Sequence, residues 1–567
     1  MGGEAATKRQ SRTVGRLELT WANKDRRLLA HDDVTYEWVD PHDWRVSEVR
    51  LLDVVTSYGE DVEDNLLIQG DALHALTALT SVPEYAERYL GKVKLAYLDP
   101  PFNTGQTFQQ YDDNLEHSVW LTMLRDRLEQ IHRLLSDDGS VWLHLDDAEV
   151  HRARCVLDEV FGADRYVGTV TWRSSDNSNN DALGFSLDHN QILVYAKETG
   201  WRSNRLEATL DRLPHYGNPD DDPRGPWFDG NPVNSPSPRP NLRYTLTGPE
   251  GQTIEPPANG WRWERATMEA KFASGEIYFN ASGTGIKRRT YLADHGGLPP
   301  SSLWTEVEVL RRDADGRPKK RSIPHGHNRG AKNHLKSLFG LKASDVFATP
   351  KPEQLLEKVI RVATDPDDLV LDCFAGSGTT AAVAHKMGRR WVTVELSAET
   401  VDTFLRPRLR KVVDGDDPGG ITATVAWTGG GGFTEARVAP SMFEDVDGTV
   451  VLADWATNGQ LAEAVAAQLR FGLEPAGPFV GRKGRTRLAV LDGMLTVGVA
   501  DHLLDQLDER ENLVVVAMTL EEGVAEHLRK QRPGSRARKV PRDLARPGKL
   551  TPRLVRFDRS KPKGEGQ

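Results

Sequence analysis

The sequence "VKLAYLDPPF" at residues 93–102 joins an apolar run to an ending that neither a helix nor a sheet can continue. The apolar part has the composition of a buried strand. Pro100 and Pro101 lack an amide hydrogen and fix φ, so the strand has to end before them. We therefore predict that the Asp99 carboxylate and the Pro100 carbonyl oxygen face one space at the carboxyl edge of a sheet.

Two neighbouring acceptors of this kind match the two N–H donors of an exocyclic amino group. When both donors are held, the nitrogen lone pair can be turned toward an electrophile. Phe102 adds a flat apolar face on which a base removed from its helix can stack. Taken alone, these residues also fit a proline-rich turn in which Asp99 caps a helix.

A second motif is "DLVLDCFAGSGTTAAVAHKMGRRWVTVEL" at residues 368–396. Its pattern predicts a buried strand, a glycine turn, a helix and a second strand that ends at Glu395. Gly376 and Gly378 let a ligand approach the backbone, and the helix N-terminus offers free N–H groups. Because a carboxylate after the next strand can accept both hydroxyls of a ribose, we predict a nucleotide-like ligand at this turn.

The glycine turn by itself leaves the identity of that ligand open. Gly376, Gly378 and Ala381 satisfy the dinucleotide pattern G-x-G-x-x-A, with Glu395 at a suitable distance, so a nicotinamide-dependent oxidoreductase is a competing hypothesis. An ATPase is excluded because no lysine follows the second glycine. The D-P-P-F motif favours an amino-group substrate, since an oxidoreductase leaves that motif unexplained.

The chain has 567 residues, of which 38% are hydrophobic and 28% charged, and its formal net charge is -10. This composition predicts a soluble protein of several domains. Two cysteines, and no run near the ~20 apolar residues of a membrane span, predict a cytoplasmic protein without membrane attachment. Basic segments at 311–332 and near the C-terminus could bind phosphates, although a solvated loop and a disordered tail explain them equally well.

The pairing of D-P-P-F (99–102) with F-A-G-S-G (374–378) resembles the DNA amino-methyltransferases, which use S-adenosylmethionine. The order of the motifs is similar to that of the β class, and most of all to the modification subunits of type III restriction systems. The resemblance covers residues 60–415 or so and implies an α/β fold. That fold is a Rossmann-like doubly wound sheet with an inserted target-recognition module and a C-terminal αβ region.

With this resemblance, shifts in composition divide the chain into five predicted regions. They are an N-terminal extension (1–60), a catalytic half (61–200), a target-recognition module (201–335), a cofactor-binding half (336–414) and a C-terminal αβ region with a basic tail (415–567). The third region is irregular and rich in Arg, Asn and aromatic residues. Arg and Asn read base edges in bidentate fashion, which suits target recognition.

The resemblance also implies individual roles. Asp99, Pro100, Pro101 and Phe102 match the catalytic tetrapeptide, with Phe in place of the commoner Tyr. The predicted cofactor-binding residues are Asp372, Phe374, Gly376, Gly378, Glu395, Asp71, Lys351 and Pro352. Of these, Asp71 matches an acid beside the adenine of the cofactor, and Lys351 and Pro352 match a segment that closes over its methionine part. No metal ion is expected.

The predicted partners are double-stranded DNA, a second copy of the chain and possible association with a restriction subunit of the helicase-nuclease type. Asp at position 99, rather than Ser, favours adenine N6 over cytosine N4 as the methylated atom. Cytosine N4 remains an alternative, as do an RNA or protein amide as substrate. A DNA-binding specificity subunit with a dormant methylase fold is a further alternative, which the intact Asp99 and Gly376 disfavour.

Overall fold

The computed structural model describes most of the chain. The described residues are 18–30, 36–103, 106–107, 112–113, 116–176, 178, 183–207, 213–230, 232–305, 308–312, 318–322, 324–342, 344–447, 449–456, 460–540, 543–544 and 554–555. Part of the basic run at 311–332 and most of the basic tail after residue 540 lie outside them. The predicted phosphate contacts of both segments therefore stay predictions.

A ten-stranded sheet organises the larger of two compact units. Its strands, in chain order, are β1 (Leu52–Gly59), β2 (Leu66–Gln69), β3 (Val93–Leu98), β4 (Leu135–Leu145), β5 (Tyr166–Arg173), β6 (His189–Ala196), β7 (Leu303–Trp304), β8 (Leu369–Asp372), β9 (Arg390–Glu395) and β10 (Gly432–Val438). Their order across the sheet is β7-β5-β6-β4-β3-β8-β9-β2-β10-β1. The six strands from β4 to β10 in this order are parallel.

Helices accompany these strands, as the alternating sequence pattern predicts. They are α1 (Ala72–Ser81), α2 (Pro83–Tyr89), α3 (His117–Leu134), α4 (Val150–Phe161), α5 (Asn328–Phe339), α6 (Glu353–Ala363), α7 (Thr379–Lys386) and α8 (Arg406–Asp414). The central strands β3 and β8 are buried, except for Lys94, because helices supply their apolar cover. The predicted doubly wound α/β fold is confirmed.

The second compact unit spans Ser203–Pro300. Its three-stranded sheet consists of Trp227–Asp229, Ile286–Tyr291 and Ile277–Phe279, and its helix is Arg265–Ala273. A small apolar core, Leu246, Ile254, Trp261, Met268 and Ile277, holds it together. This unit lies within the predicted target-recognition module, but the structure moves the far boundary from 335 to Pro300.

The boundary moves because the residues after Pro300 belong to the larger unit. Leu303–Trp304 forms strand β7 and pairs with β5. Leu335 of α5 packs with Val346, Phe347 and Phe404 in a separate apolar cluster. Leu303–Trp304 and α5 therefore support the sheet domain rather than the irregular module.

The predicted boundaries at 60 and 414 also change. Strand β1 comes from the N-terminal extension and β10 from the C-terminal region, yet the two pair antiparallel and β10 also pairs with β2. Both segments therefore complete the main sheet. Sequence patterns missed this pairing because it joins residues from distant parts of the chain.

The C-terminal region has the predicted αβ character. Its five-stranded sheet runs Gly472–Ala476, Phe479–Lys483, Thr486–Leu495, Asn512–Leu520 and Arg536–Lys539, with helices Leu461–Leu469, Val497–Asp505 and Val524–Gln531. A small sheet lies beside the short helix Trp44–Ser47. It consists of Arg27–Ala30 and Tyr36–Val39 from the N-terminal part of the chain and Leu554–Val555 from the C-terminal part. Across the described residues, no helix combines the length and apolar character needed to cross a membrane.

Candidate active site

The carboxyl ends of the parallel strands open onto a cavity of about 470 Å³, here called the edge pocket. Because β3, β8, β9 and β2 are successive neighbours, their ends bring acidic residues to one edge of the sheet. The predicted site residues that line the edge pocket are Asp71, Asp99, Pro100, Pro101, Phe102, Lys351, Asp372, Phe374, Gly376 and Glu395. The structure thus brings the two sequence motifs together.

Gly378 and Pro352 are the predicted site residues outside the lining of this described cavity. Gly378 precedes α7 with φ of 77°, and a Cβ on it would lie 2.3 Å from Leu405 Cδ1. Pro352 precedes α6, where its fixed φ suits the start of a helix. Both residues therefore shape the backbone behind the pocket, and their predicted contacts with a cofactor stay predictions.

Asp99 follows β3, and one of its two carboxylate oxygens is held by a lysine. The Lys351 ammonium donates to Asp99 Oδ2 at 2.6 Å. The other carboxylate oxygen, Oδ1, is buried and has no hydrogen-bond partner among the described residues. Burial raises the pKa of Asp99 above its ordinary value, although the positive charge of Lys351 opposes this rise.

The loop after Asp99 is fixed by two further contacts. Trp120 Nε1, on α3, donates to the Pro101 carbonyl oxygen at 2.7 Å. The Phe102 ring stacks on His144, with ring centroids 5.7 Å apart and an interplanar angle of 29°. Tyr97 and His144 share a hydrogen bond of 2.6 Å, and burial keeps the pKa of His144 well below its ordinary value. Phe102 is therefore backed by a neutral ring.

The glycine turn after β8 is braced by carboxylates. Asp372 Oδ1 accepts a hydrogen bond from the Phe374 amide at 2.9 Å, and Glu395 Oε2 accepts one from the Gly376 amide at 2.8 Å. Gly376 has φ of 50°, and a Cβ there would lie 3.0 Å from Phe347 Cζ. A side chain at Gly376 would therefore be strained and would crowd the pocket wall.

The acids at this edge resist ionisation. Burial raises the pKa of Asp372 to about 7, with smaller contributions from the nearby charges of Asp99 and Glu395. Burial likewise raises the pKa of Glu395. Three carboxyl groups held so close together favour a cationic ligand, because a positive charge relieves both their desolvation and their mutual repulsion.

Asp71 differs from Asp372 and Glu395 because one of its oxygens is paired with a buried guanidinium. Oδ1 caps α1 by accepting from the Leu73 amide at 2.8 Å, and Oδ2 accepts from Arg127 at 2.7 Å. Burial would raise its pKa, but the Arg127 guanidinium, together with His74 and the hydrogen bonds from the Leu73 and His74 amides, outweighs that effect and lowers it. The structure places Asp71 in the pocket wall, and its predicted place beside an adenine stays a prediction.

A buried ionic network lies behind the glycine turn, and sequence reasoning missed it. Glu353 accepts from Lys386 at 2.9 and 3.0 Å and from Arg408 at 2.8 Å. Arg408 also donates to the Ser377 carbonyl oxygen at 3.2 Å and to the Thr379 hydroxyl at 2.9 Å. The network therefore connects α6, α7 and α8 to the turn itself.

The same region contains a group of metal-ligand types. Across the described residues, ligand atoms of His334, Glu353 and Asp417 lie within 4.8 Å of one another. The Lys386 ammonium sits on two of them, at 2.9 Å from Glu353 Oε2 and 2.7 Å from Asp417 Oδ2. A lysine thus supplies the positive charge there, and the group fits an ion-pair cluster better than a metal site.

Other residues line the edge pocket although no sequence motif indicated that they belong to the site. Tyr36 comes from the N-terminal extension, and Phe347 and Thr349 come from the segment before α6. Their only local signal is the aromatic sequence "YEWV" (36–39) and the run "FATPKP" (347–352). Neither pattern distinguishes a pocket wall from an ordinary apolar core.

An α/β sheet with D-P-P-F and a glycine turn at neighbouring strand ends defines a class of nucleotide-binding transferase folds. Residues 93–406, more than half of the chain, match the N6/N4 DNA methylase family, and the chain belongs to this family. The predicted likeness to type III modification subunits is confirmed by its relatives. The family assignment also removes the nicotinamide-dependent oxidoreductase as a competing hypothesis.

Two of these relatives are type III restriction-modification Mod subunits. The StyLTI Mod subunit of Salmonella typhimurium is 31% identical over 353 residues, which cover 56% of this chain and 49% of that protein. The probable HindVI Mod subunit of Haemophilus influenzae is 29% identical over 452 residues, which cover 66% of this chain and 54% of that protein. The chain therefore spans about half the length of these curated relatives.

Among solved structures, the PvuII DNA methyltransferase, described as cytosine-N4-specific, aligns with 64% of this chain and 90% of its own. The sequence identity is 16% and the TM-score is 0.33. A likeness this distant carries no information on which base this chain modifies.

Proposed function

We propose that the chain is a site-specific DNA methyltransferase that moves a methyl group from S-adenosylmethionine to the N6 amino group of adenine. One observation carries the proposal: Asp99, with a buried and unpartnered Oδ1, shares a cavity with the Gly376 turn. The first group suits an amino donor and the second suits a nucleoside cofactor. Membership of the DNA methylase family supports both assignments.

The residues present fit a cationic cofactor. Asp99, Asp372 and Glu395 line the pocket, and burial raises the pKa of each, so a bound sulfonium would favour their ionised forms and be attracted by them. Backbone at Gly376 can approach a ligand closely because the position carries no side chain. When bound, S-adenosylmethionine supplies an electrophilic methyl group, whose bond to sulfur breaks as the bond to nitrogen forms.

The chain itself positions the acceptor. A flipped adenine stacks on Phe102, and its amino group donates to Asp99 and to the Pro100 carbonyl oxygen. Holding both N–H groups directs the nitrogen lone pair toward the methyl carbon. The methylated nitrogen then loses one proton, to Asp99 or to water, so positioning rather than strong base catalysis supplies most of the rate.

The relatives also suggest partners. Both Mod subunits named above belong to restriction-modification enzymes. We further propose that the chain acts as a modification subunit, forms a homodimer and can associate with a restriction subunit. The unit Ser203–Pro300 is proposed to read the target sequence, because it is irregular and carries aromatic and Arg side chains in close contact, such as Arg289 over Trp227.

Sequencing of modified bases tests the function directly. Genomic DNA is compared from hosts that express the wild-type chain, Asp99→Ala or the surface control Glu357→Gln. We expect N6-methyladenine in one short motif with the wild type and the control. Asp99→Ala should reduce methylation by on the order of 10²–10³-fold or more, because a preorganised hydrogen-bond partner of the reacting nitrogen is lost.

Other outcomes correct the proposal in definite ways. N4-methylcytosine in the same experiment would keep the methyltransferase and change the base. Methylation that persists at the wild-type level in Asp99→Ala would remove Asp99 from the reaction. The absence of any modified motif with the wild type, tested with and without a co-expressed restriction subunit, would contradict the proposed activity.

A further inference from the structure

Lys351 lines the edge pocket, and it also contacts Asp99, which the sequence did not predict. Its side chain is only 8% exposed, and its ammonium is 2.6 Å from Asp99 Oδ2. The same ammonium is 4.8 Å from the centroid of the Phe102 ring. A lysine this deeply buried needs a compensating partner, and the described contacts make Asp99 that partner.

The contact with Lys351 makes the two carboxylate oxygens of Asp99 unequal. Oδ2 accepts the hydrogen bond from Lys351, while Oδ1 is buried without a hydrogen-bond partner in the described part of the chain. An ionised carboxylate has acceptor capacity on both oxygens. A buried acceptor that lacks a donor is costly unless a ligand supplies one. The free oxygen is therefore the one suited to the target amino group.

We propose that Lys351 is a positioning residue, whose ammonium anchors Asp99 through Oδ2 and so presents Oδ1 to the amino group of the target base. This inference rests on the proposed function and goes beyond it, because the sequence resemblance assigns Lys351 to the cofactor instead. Lys351 acts through Asp99 and needs no contact with the reacting atoms.

The ion pair between Lys351 and Asp99 also affects the protonation state of Asp99. The groups that face Asp99 are the Lys351 ammonium, the Tyr97 hydroxyl and the Asp372 carboxyl, with the imidazole of His144 next to the lysine. His144 is neutral, since burial and then Lys351 lower its pKa. Lys351 is thus the cation that favours the ionised form of Asp99 against its burial.

The pH dependence of methyl transfer separates this role from a purely structural one. Single-turnover rates are measured from pH 5.5 to pH 9.5 with labelled S-adenosylmethionine and a duplex that contains the recognition motif. The full-length wild type is compared with Lys351→Met, Lys351→Arg and Lys358→Met. Lys358 is a matched control, because it is also buried and lies 4.4 Å from the ring centroid of Trp304, outside the lining of the edge pocket.

In Lys351→Met we expect the acid limb of the profile to move up by roughly 1–3 pH units, because an opposite charge at hydrogen-bond distance lowers a carboxyl pKa by about that much. At a pH below both limbs, the rate should fall by about 10- to 1000-fold and should recover as the pH rises. Lys351→Arg should keep the limb near its wild-type position, because the guanidinium retains the charge. Lys358→Met should leave the limb unchanged.

An unchanged acid limb in Lys351→Met overturns the inference, whatever happens to the rate. A raised KM for the cofactor with an unmoved limb would instead support the contact that the sequence predicts. If Lys351→Met does not fold, the limb of Lys351→Arg decides, since a shift as large as 1 pH unit in that variant would contradict a role based on charge. A wild type without methyl transfer at any pH would refute the proposed function itself.

Discussion

Glu353 and Asp99 are both carboxylates that pair with a buried lysine, but their surroundings differ. Glu353 accepts from Lys386, from Arg408 and from the Ile421 amide, at distances between 2.8 and 3.0 Å. Burial would raise its pKa, yet the two cations outweigh burial and lower it. Both oxygens of Glu353 are therefore satisfied within the protein.

Asp99 has one cation and one unused oxygen. Lys351 binds Oδ2, no described residue binds Oδ1, and the pKa of Asp99 stays above its ordinary value because burial prevails. The comparison teaches that Glu353, which is fully satisfied within the protein, belongs to the framework, whereas the unused oxygen of Asp99 is available to a ligand. Three predictions test this distinction.

The largest expected effect follows from breaking the framework acid. Glu353→Gln should lower the free energy of unfolding by about 3–5 kcal/mol, because Arg408 would remain buried without this negative partner and Lys386 would keep only Asp417. Asp99→Asn is the matched substitution and should cost less, about 1–3 kcal/mol, because one cation rather than two loses a negative partner and the Asp99 side chain is 19% exposed. Urea denaturation of the purified chains measures both values. Equal losses would mean that Asp99 is also a framework residue.

The next effect concerns the pH dependence of cofactor affinity. Asp372 has a pKa of about 7, so it is neutral below that pH and negative above it. Binding of the cationic cofactor should tighten as the pH rises through 7, by at most about tenfold per pH unit. Asp372→Asn should flatten this dependence. Isothermal titration from pH 6 to pH 8 checks the prediction, and an equally steep profile in the variant would assign the titration to Glu395 or Asp99.

The smallest loss of stability is expected from a substitution at Glu357, one helical turn after Glu353. Glu357 pairs with Arg361 at 2.8 Å on the same helix, but the Arg361 side chain is 51% exposed. Glu357→Gln should change the free energy of unfolding by only about 0.3–0.5 kcal/mol, because solvent screens an exposed i,i+4 pair. A loss close to that of Glu353→Gln would show that burial does not explain the difference between the two acids.

Local chemistry made the two motifs predictable. Pro100 and Pro101 end a strand wherever they occur, and the glycines at 376 and 378 adopt positive φ, as a turn before a helix requires. The family resemblance implied that Asp99 and the glycine turn share one site, and parallel strands that present their carboxyl ends at the same edge account for their meeting.

The pairing of strands that are distant in the chain was harder to predict from the sequence. Strands β1 and β10 lie outside the predicted methyltransferase halves, and Tyr36 reaches the edge pocket from the N-terminal extension. Nothing in the local pattern of these segments distinguishes a strand of the main sheet from a strand of another domain. Their position depends on pairing partners hundreds of residues away.

By itself, the sequence determined where the strands end, where the backbone can approach a ligand and which acids stand at those ends. Only the tertiary structure decided which acids are satisfied. Lys351 and Asp99 are separated by 252 residues, and Glu353 receives its cations from two other helices. Charged residues on an amphipathic helix predict a solvated face, because the local pattern contains no information about a partner that packing brings into contact from elsewhere in the chain.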